Sequence, residues 1–152
     1  MDNSEVPNEY FTHLARQGFH IEKRINGGLS GGVYIGTQKS LSRHVAIKFY
    51  DSFLVQRDES LRKRFLREAI ILAKVQHPCI PYVLTHGQVE KNGEKIPYIV
   101  MQYIEGETLS SIIKTRGQIS QEESNRISYI KQILGVLSFV HSKNILHRDI
   151  KP

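Results

Sequence analysis

The sequence predicts an α+β chain: a five-stranded antiparallel sheet with one inserted helix, followed by a helical stretch. Three observations lead there. Short runs rich in Val, Ile, Tyr and Phe recur between Phe19 and Tyr103, joined by turns that carry glycine. One segment of helical period, Arg57 to Val75, interrupts them. After Gly106 the strand pattern stops and helix-start signals take over.

The elements follow in order. Residues 1–18 are polar, with a short helix expected around Asn8–Gln17. Phe19, Ile21 and Arg24-Ile25 then alternate as a half-buried strand does. Asn26-Gly27-Gly28-Leu29-Ser30-Gly31-Gly32 is a glycine-dense turn, and Val33-Tyr34-Ile35-Gly36-Thr37 resumes the strand, so the glycines sit at a hairpin. His44 to Phe49 reads as a third strand. In the inserted helix Leu61, Phe65, Ala69 and Leu72 form one apolar stripe bordered by Glu68. Arg62, Lys63, Arg64 and Arg67 lie mostly off that stripe and read as a solvated face, because no aromatic residues interleave with them to stack on bases. Pro78 and Pro81 end the helix.

Tyr82–Glu90 and Lys95–Tyr103 read as paired strands around Asn92-Gly93, a dipeptide in which both residues tolerate positive φ. Thr108 is placed to cap a short helix through Ile113. Ser120 with Glu123 makes a capping box for a long helix to about His141, with Ile127, Ile130, Leu134, Leu137 and Val140 on one face. The expected organisation is an N-terminal extension (1–18), a strand-rich lobe (19–105) and the start of a helical lobe (106–152), with Gly106 near the boundary.

Composition narrows the functional classes. Of 152 residues 39% are hydrophobic and 24% charged, which is globular and not disordered. The net charge of +6 serves solubility and selects no partner by itself; no nucleic-acid partner is expected. One cysteine, Cys79, excludes an intramolecular disulfide, and its His-Pro-Cys-Ile setting suggests a buried, inert thiol. The seven histidines show no zinc-ligand spacing. The N-terminus is acidic and has no leader pattern; the most apolar run, Ile127 to Val140, is broken by Lys131 and Gln132. A cytoplasmic location is expected, with no membrane segment within these residues.

Three constellations carry chemistry. A glycine turn leading from strand to strand lets backbone N–H groups approach a polyphosphate, although hairpins also use glycine for geometry alone. Lys48 closes the strand Val45-Ala46-Ile47-Lys48; a lone strand lysine is ordinarily an exposed edge residue. Twenty residues on, Glu68 borders an apolar stripe, where a carboxylate is costly unless paired; an ion pair with Lys48 would relieve that cost and aim the ammonium at phosphate oxygens. The third is His147-Arg148-Asp149, uninformative as an isolated tripeptide.

Taken in order, these elements with His77-Pro78, the run Tyr98 to Gly106 and His147 to Pro152 resemble the eukaryotic-type protein serine/threonine kinase catalytic domain, in the wording of its bacterial branch. The resemblance spans everything from about Phe19 onward. It implies a kinase small lobe, with its five-stranded sheet and one helix of αC type, and the first helices of the large lobe. It also implies ATP-dependent phosphoryl transfer to a protein Ser/Thr hydroxyl. Ile25, Gly27, Gly28, Leu29, Ser30, Gly31 and Val33 would form the nucleotide loop and its flanks, with Asn26 where the first glycine is expected. Asn tolerates left-handed geometry, which would let the loop form. Ala46 and Met101 would line the adenine pocket, Gln102 and Ile104 would offer backbone groups to the adenine edge, and Lys48 paired with Glu68 would hold the α/β-phosphates. Asp149 would accept the substrate hydroxyl's proton, and Lys151 would steady the transferred phosphate, which favours a protein substrate.

The catalytic-loop motif runs only to Pro152, so its Asn and the D-F-G metal ligand fall outside the sequence. ATP and Mg²⁺ are the expected cofactors, with no metal ligand among these residues and no activity expected of the 152-residue fragment alone. The alternative is a non-catalytic, pseudokinase-like nucleotide-binding or regulatory module. An open reading frame continuing past residue 152 into an Asn and D-F-G would favour the enzyme.

Overall fold

The structure, a computed structural model, describes residues 7–28, 31–50, 60, 63, 67, 70–71, 73–117, 123–146 and 150. Helix α1 spans Asn8–Arg16. The strands are β1 (Phe19–Gly28), β2 (Gly31–Gln38), β3 (Arg43–Phe49), β4 (Val83–Lys91) and β5 (Glu94–Gln102), and helices α2 (Leu109–Arg116) and α3 (Glu123–Ser142) follow. Every pairing is antiparallel and the strand order is β1-β2-β3-β5-β4. Between β3 and β4, Ser60, Lys63, Arg67, Ile70, Ile71, Ala73 and Lys74 have helical backbone. The stripe residues Leu61, Phe65, Ala69 and Leu72, and Glu68 beside them, lie outside the described residues.

Two compact units emerge: Met1–Gln76 with Pro81–Ile104, and His77–Ile80 with Glu105–Pro152. In the strand-rich unit, sequence alternation becomes two sheet faces. Val45, Ile47 and Phe49 of β3 sit opposite Gln102, Val100 and Tyr98 of β5, and Ile47 also sits opposite Tyr34 of β2. Cross-strand partners share a face, so Tyr34, Val45, Ile47, Phe49, Tyr98 and Val100 form one apolar surface. It belongs to a core cluster with Phe19, Ile21, Val89 and Ile96.

Helix α1 seals that surface. It looks polar as a sequence, yet Tyr10 and Leu14, one helical turn apart, are only 1% and 0% exposed. The Tyr10 ring stacks on Phe49 at 3.9 Å between centroids and meets Tyr34 edge-on at 6.5 Å. Full burial of such a side chain contributes roughly 1.5–3 kcal/mol, and a well-formed aromatic pair adds about 0.5–1.5 kcal/mol. The Tyr98 hydroxyl donates to Gln17 Oε1 at 2.7 Å and lies 3.3 Å from His13 Nε2. Burial raises the Tyr98 pKa above its ordinary value, while the Gln17 hydrogen bond works in the opposite direction. Gly18 ends the helix at φ +84°, and its carbonyl accepts from the Lys39 N–H at 2.8 Å.

The turn of β4 and β5 has Asn92 at φ 53° and Gly93 at φ 79°, the geometry that Asn-Gly favours. Beside it in β4, Gly87 has a structural reason: a Cβ there would come within 2.6 Å of the Tyr98 hydroxyl oxygen.

In the helical unit Thr108 caps α2, its Oγ1 accepting from the Ser111 N–H at 3.1 Å. The helix runs to Arg116 and not only to Ile113, because it persists until Gly117 takes a left-handed φ of 75°. Helix α3 ends at Ser142, within a residue of expectation; Ser120 lies outside the described residues. Cys79 is exposed, contrary to the expected buried thiol. It sits in a turn in which the Ile80 N–H bonds the His77 carbonyl and the Cys79 N–H bonds His77 Nδ1; with the backbone folded back on His77, the apolar neighbours do not enclose the thiol.

Candidate functional site

The sheet's second face gathers the predicted small-lobe residues. Val33 lies opposite Lys48, Ile35 opposite Ala46, Ala46 opposite Met101 and Lys48 opposite Ile99. Side chains alternate along a strand, so these residues point away from the α1-covered surface. The result is a small apolar surface with one ammonium at its edge. Ala46 is 9% exposed; Val33, Lys48 and Met101 are half-buried. A flat, partly accessible apolar patch suits a planar aromatic ligand, and the lysine suits an anionic group attached to it.

At the end of β1 and β2 the glycines close the hairpin, with Gly27 paired to Gly32 and Gly28 to Gly31. Gly31 has φ +119°, a conformation that L side chains rarely adopt. Gly32 is needed for space, since a Cβ there would lie 2.8 Å from the Tyr34 ring. Asn26 pairs with Val33 and has no left-handed φ, in contrast to expectation. Its side-chain Oδ1 instead accepts the Gly27 N–H at 2.8 Å. Asn therefore fits here by occupying a loop donor, not by supplying backbone freedom. Ile25 falls at a register shift between Arg24 and Asn26, which accounts for its exposure.

At the end of β5, the Gln102 N–H donates to the Tyr82 carbonyl at 3.0 Å. Ile104 lies beyond the end of β5 and is 58% exposed. Thus Val33, Ala46, Lys48 and Met101 come together on one surface, Gly27, Gly28 and Gly31 sit at the adjoining hairpin tip, and Gln102 and Ile104 lie where the chain leaves the sheet. Leu29, Ser30, Glu68, Asp149 and Lys151 lie outside the described residues. Among the described residues no group of three or more His, Cys, Asp or Glu could hold a metal ion.

Tyr50 was not singled out by the sequence. Lys48 Nζ stands 4.5 Å from the centre of its ring. The available signal was an aromatic residue two positions after a strand lysine.

Comparison with known proteins places this geometry. Residues 19–152 match the protein kinase domain, and the chain belongs to that family. A probable serine/threonine-protein kinase PknB of Bifidobacterium longum is 33% identical over 146 residues, covering 93% of this chain and 21% of the relative. The serine/threonine-protein kinase PknB of Mycobacterium tuberculosis is 38% identical over 126 residues, covering 83% of this chain and 20% of the relative. The chain therefore spans about a fifth of the length of these curated relatives. The crystal structure of the M. tuberculosis PknI kinase domain superposes with a TM-score of 0.71 at 24% identity, over 89% of this chain and 52% of that one. The five-stranded antiparallel sheet is the small lobe of that fold, and α2 and α3 are the first helices of its large lobe. Among the described residues no helix is long and apolar enough to cross a membrane.

Proposed function

We propose that the chain is the amino-terminal part of an ATP-dependent protein serine/threonine kinase that transfers a phosphoryl group to a protein hydroxyl. The observation that carries this reading is the shared surface of Val33, Ala46 and Met101 with Lys48 at its edge. Beside it is a glycine hairpin of the kind that admits phosphate to backbone N–H groups. These residues fit a nucleotide. The adenine would lie on the apolar patch, with Gln102 and Ile104 offering backbone groups to its edge, and the Lys48 ammonium would meet the phosphates, paired with Glu68. Asp149 would orient the acceptor hydroxyl and Lys151 would steady the transferred group.

The described residues do not form a cation site. Phosphoryl transfer needs metal ions across the phosphates together with a positioned acceptor, and the sequence contains no D-F-G. The 152-residue chain alone is therefore proposed to bind nucleotide without transferring phosphate. The binding surface belongs to a chain that we place in the cytoplasm.

Radiolabelled ATP with Mg²⁺ and a generic basic protein acceptor tests this. The chain should bind ATP, Lys48→Met should weaken binding, and no transfer above the Lys48→Met background should occur. In the longer parent protein Asp149→Asn should abolish transfer and spare nucleotide binding. Equal ATP affinity of the chain and its Lys48→Met variant would remove the nucleotide reading. Near-normal turnover of Asp149→Asn would remove the role of Asp149. A parent that binds ATP and never transfers it would leave the regulatory, pseudokinase-like alternative.

A further inference from the structure

We infer that Tyr50 is a positioning residue for Lys48, holding the ammonium over its ring face so that the charge stands ready for an anionic ligand. The inference rests on the nucleotide reading of the Lys48 surface and adds a residue to it. Lys48 Nζ lies 4.5 Å from the Tyr50 ring centroid, inside the range of about 6 Å at which a ring quadrupole attracts a cation. The two residues are two positions apart in an extended chain, so both side chains leave the backbone on the same side.

Residue 50 is fixed in place. It is 7% exposed, and the Tyr50 N–H donates to the Pro97 carbonyl at 2.9 Å. The preceding residue, Phe49, is fully buried on the opposite face and stacked on Tyr10. The backbone that carries Tyr50 is therefore pinned by hydrogen bonding at one residue and by aromatic packing at the next.

The chemistry of such a partner differs from that of a carboxylate. A ring face attracts a cation but carries no net charge and takes no proton. An ammonium also has three N–H donors, and contact with a ring face leaves others directed elsewhere. Tyr50 thus restricts where the flexible four-carbon stem can place its charge without neutralising it. A leucine at position 50 would fill similar space with no quadrupole; a phenylalanine would keep the quadrupole and lose only the hydroxyl.

The test uses the 152-residue chain and three variants, Tyr50→Phe, Tyr50→Leu and Lys48→Met. Proton NMR first reads the pairing in the unaltered chain: Lys48 side-chain methylene protons, assigned by their loss in Lys48→Met, should lie upfield through the ring current. They should stay upfield in Tyr50→Phe and return to ordinary positions in Tyr50→Leu. Calorimetric titration with ATP then reads the consequence. Tyr50→Leu should bind about threefold more weakly or worse, with Tyr50→Phe close to the unaltered chain. Lys48 resonances at ordinary positions in the unaltered chain would overturn the inference whether or not the Tyr50 variants fold. So would a Tyr50→Leu affinity within twofold of the unaltered chain, or a Tyr50→Phe as weak as Tyr50→Leu. Failure of the underlying nucleotide reading shows separately, as an ATP affinity indifferent to Lys48→Met while the upfield shift persists.

Discussion

The strand-rich and helical units solve the problem of an apolar face differently. In the first, the surface built by Tyr34, Val45, Ile47, Phe49, Tyr98 and Val100 is closed by α1, and its members are almost wholly buried. In the second, α3 has an equally apolar set, but Ile127, Ile130, Ile133 and Leu134 are exposed, and Val140 is its only buried hydrophobic among the described residues. A similar supply of large aliphatic and aromatic side chains gives a packed core in one unit and a wet face in the other. An amphipathic pattern states what must be covered; whether the cover is supplied depends on a second element, which α1 is for the sheet and which α3 lacks among the described residues.

The largest effect should come from removing the seal. Tyr10→Ala is expected to destabilise the strand-rich unit by about 3–5 kcal/mol, the usual cost of deleting a buried aromatic. Amide hydrogen exchange should show β3 and β5 opening faster while α3 is unchanged. Equal acceleration in both units would break the contrast, since their stabilities would then be one quantity.

A methyl group added to a glycine should act with opposite sign in the two units. At Gly87 the Cβ would meet the Tyr98 hydroxyl oxygen at 2.6 Å and ring carbons at 2.8 and 3.1 Å, and Tyr98 is 1% exposed. Overpacking of this kind costs about 1–3 kcal/mol. At Gly135, inside α3, nothing lies within 4 Å, so Gly135→Ala should stabilise the helix by about 0.5–1 kcal/mol. Urea unfolding followed by circular dichroism would read both, and a stabilised Gly87→Ala would show that the core is looser than its burial suggests.

Leu134→Glu should change folding stability by no more than about 0.5 kcal/mol, because the side chain is already in water. It should nevertheless reduce self-association of the chain in sedimentation, since exposed apolar patches drive association. Unchanged sedimentation would mean that the face of α3 is inert.

The smallest effect is confined to alkaline pH. The Tyr98 pKa is higher in the folded chain than the ordinary 10.0. The folded state therefore keeps its proton where the unfolded state loses it. That contribution is fully present below about pH 10 and is lost as pH rises through the folded pKa. Tyr98→Phe should remove this alkaline decline from an unfolding titration of the strand-rich unit.

The fold was legible wherever a local rule governed the backbone. Asn92-Gly93, Thr108, and the alternation of Phe19 with Ile21 and of Val45 with Ile47 each translate into the structure. The Val33–Ala46–Lys48–Met101 surface was legible through family motifs, and strand register explains why residues so far apart in sequence meet. Less was legible where a long-range partner decides. Nothing near Tyr10 announces Phe49, thirty-nine residues on, and a helix averaged as polar conceals two side chains that are fully buried. Asn26 illustrates the same limit at short range. Its type suggested a backbone conformation, whereas the structure uses its side-chain oxygen. Cys79 looked buried from its neighbours' polarity, but a turn closed by His77 set its exposure. Tyr50 was passed over because only the third dimension shows a ring beneath an ammonium.

The tie between α1 and Tyr98 also orders events in time. Gln17 and His13 reach a residue 81 and 85 positions later in the chain. During synthesis α1 leaves the ribosome before β5, yet its seat is incomplete until β5 has emerged and entered the sheet between β3 and β4. At roughly 5–20 residues per second, that separation leaves the helix several seconds with its apolar side uncovered. Closing so distant a contact is also entropically slow. An element made before the sheet is therefore seated after it, and a nascent chain halted before β5 would hold its sealing helix over an unfinished surface.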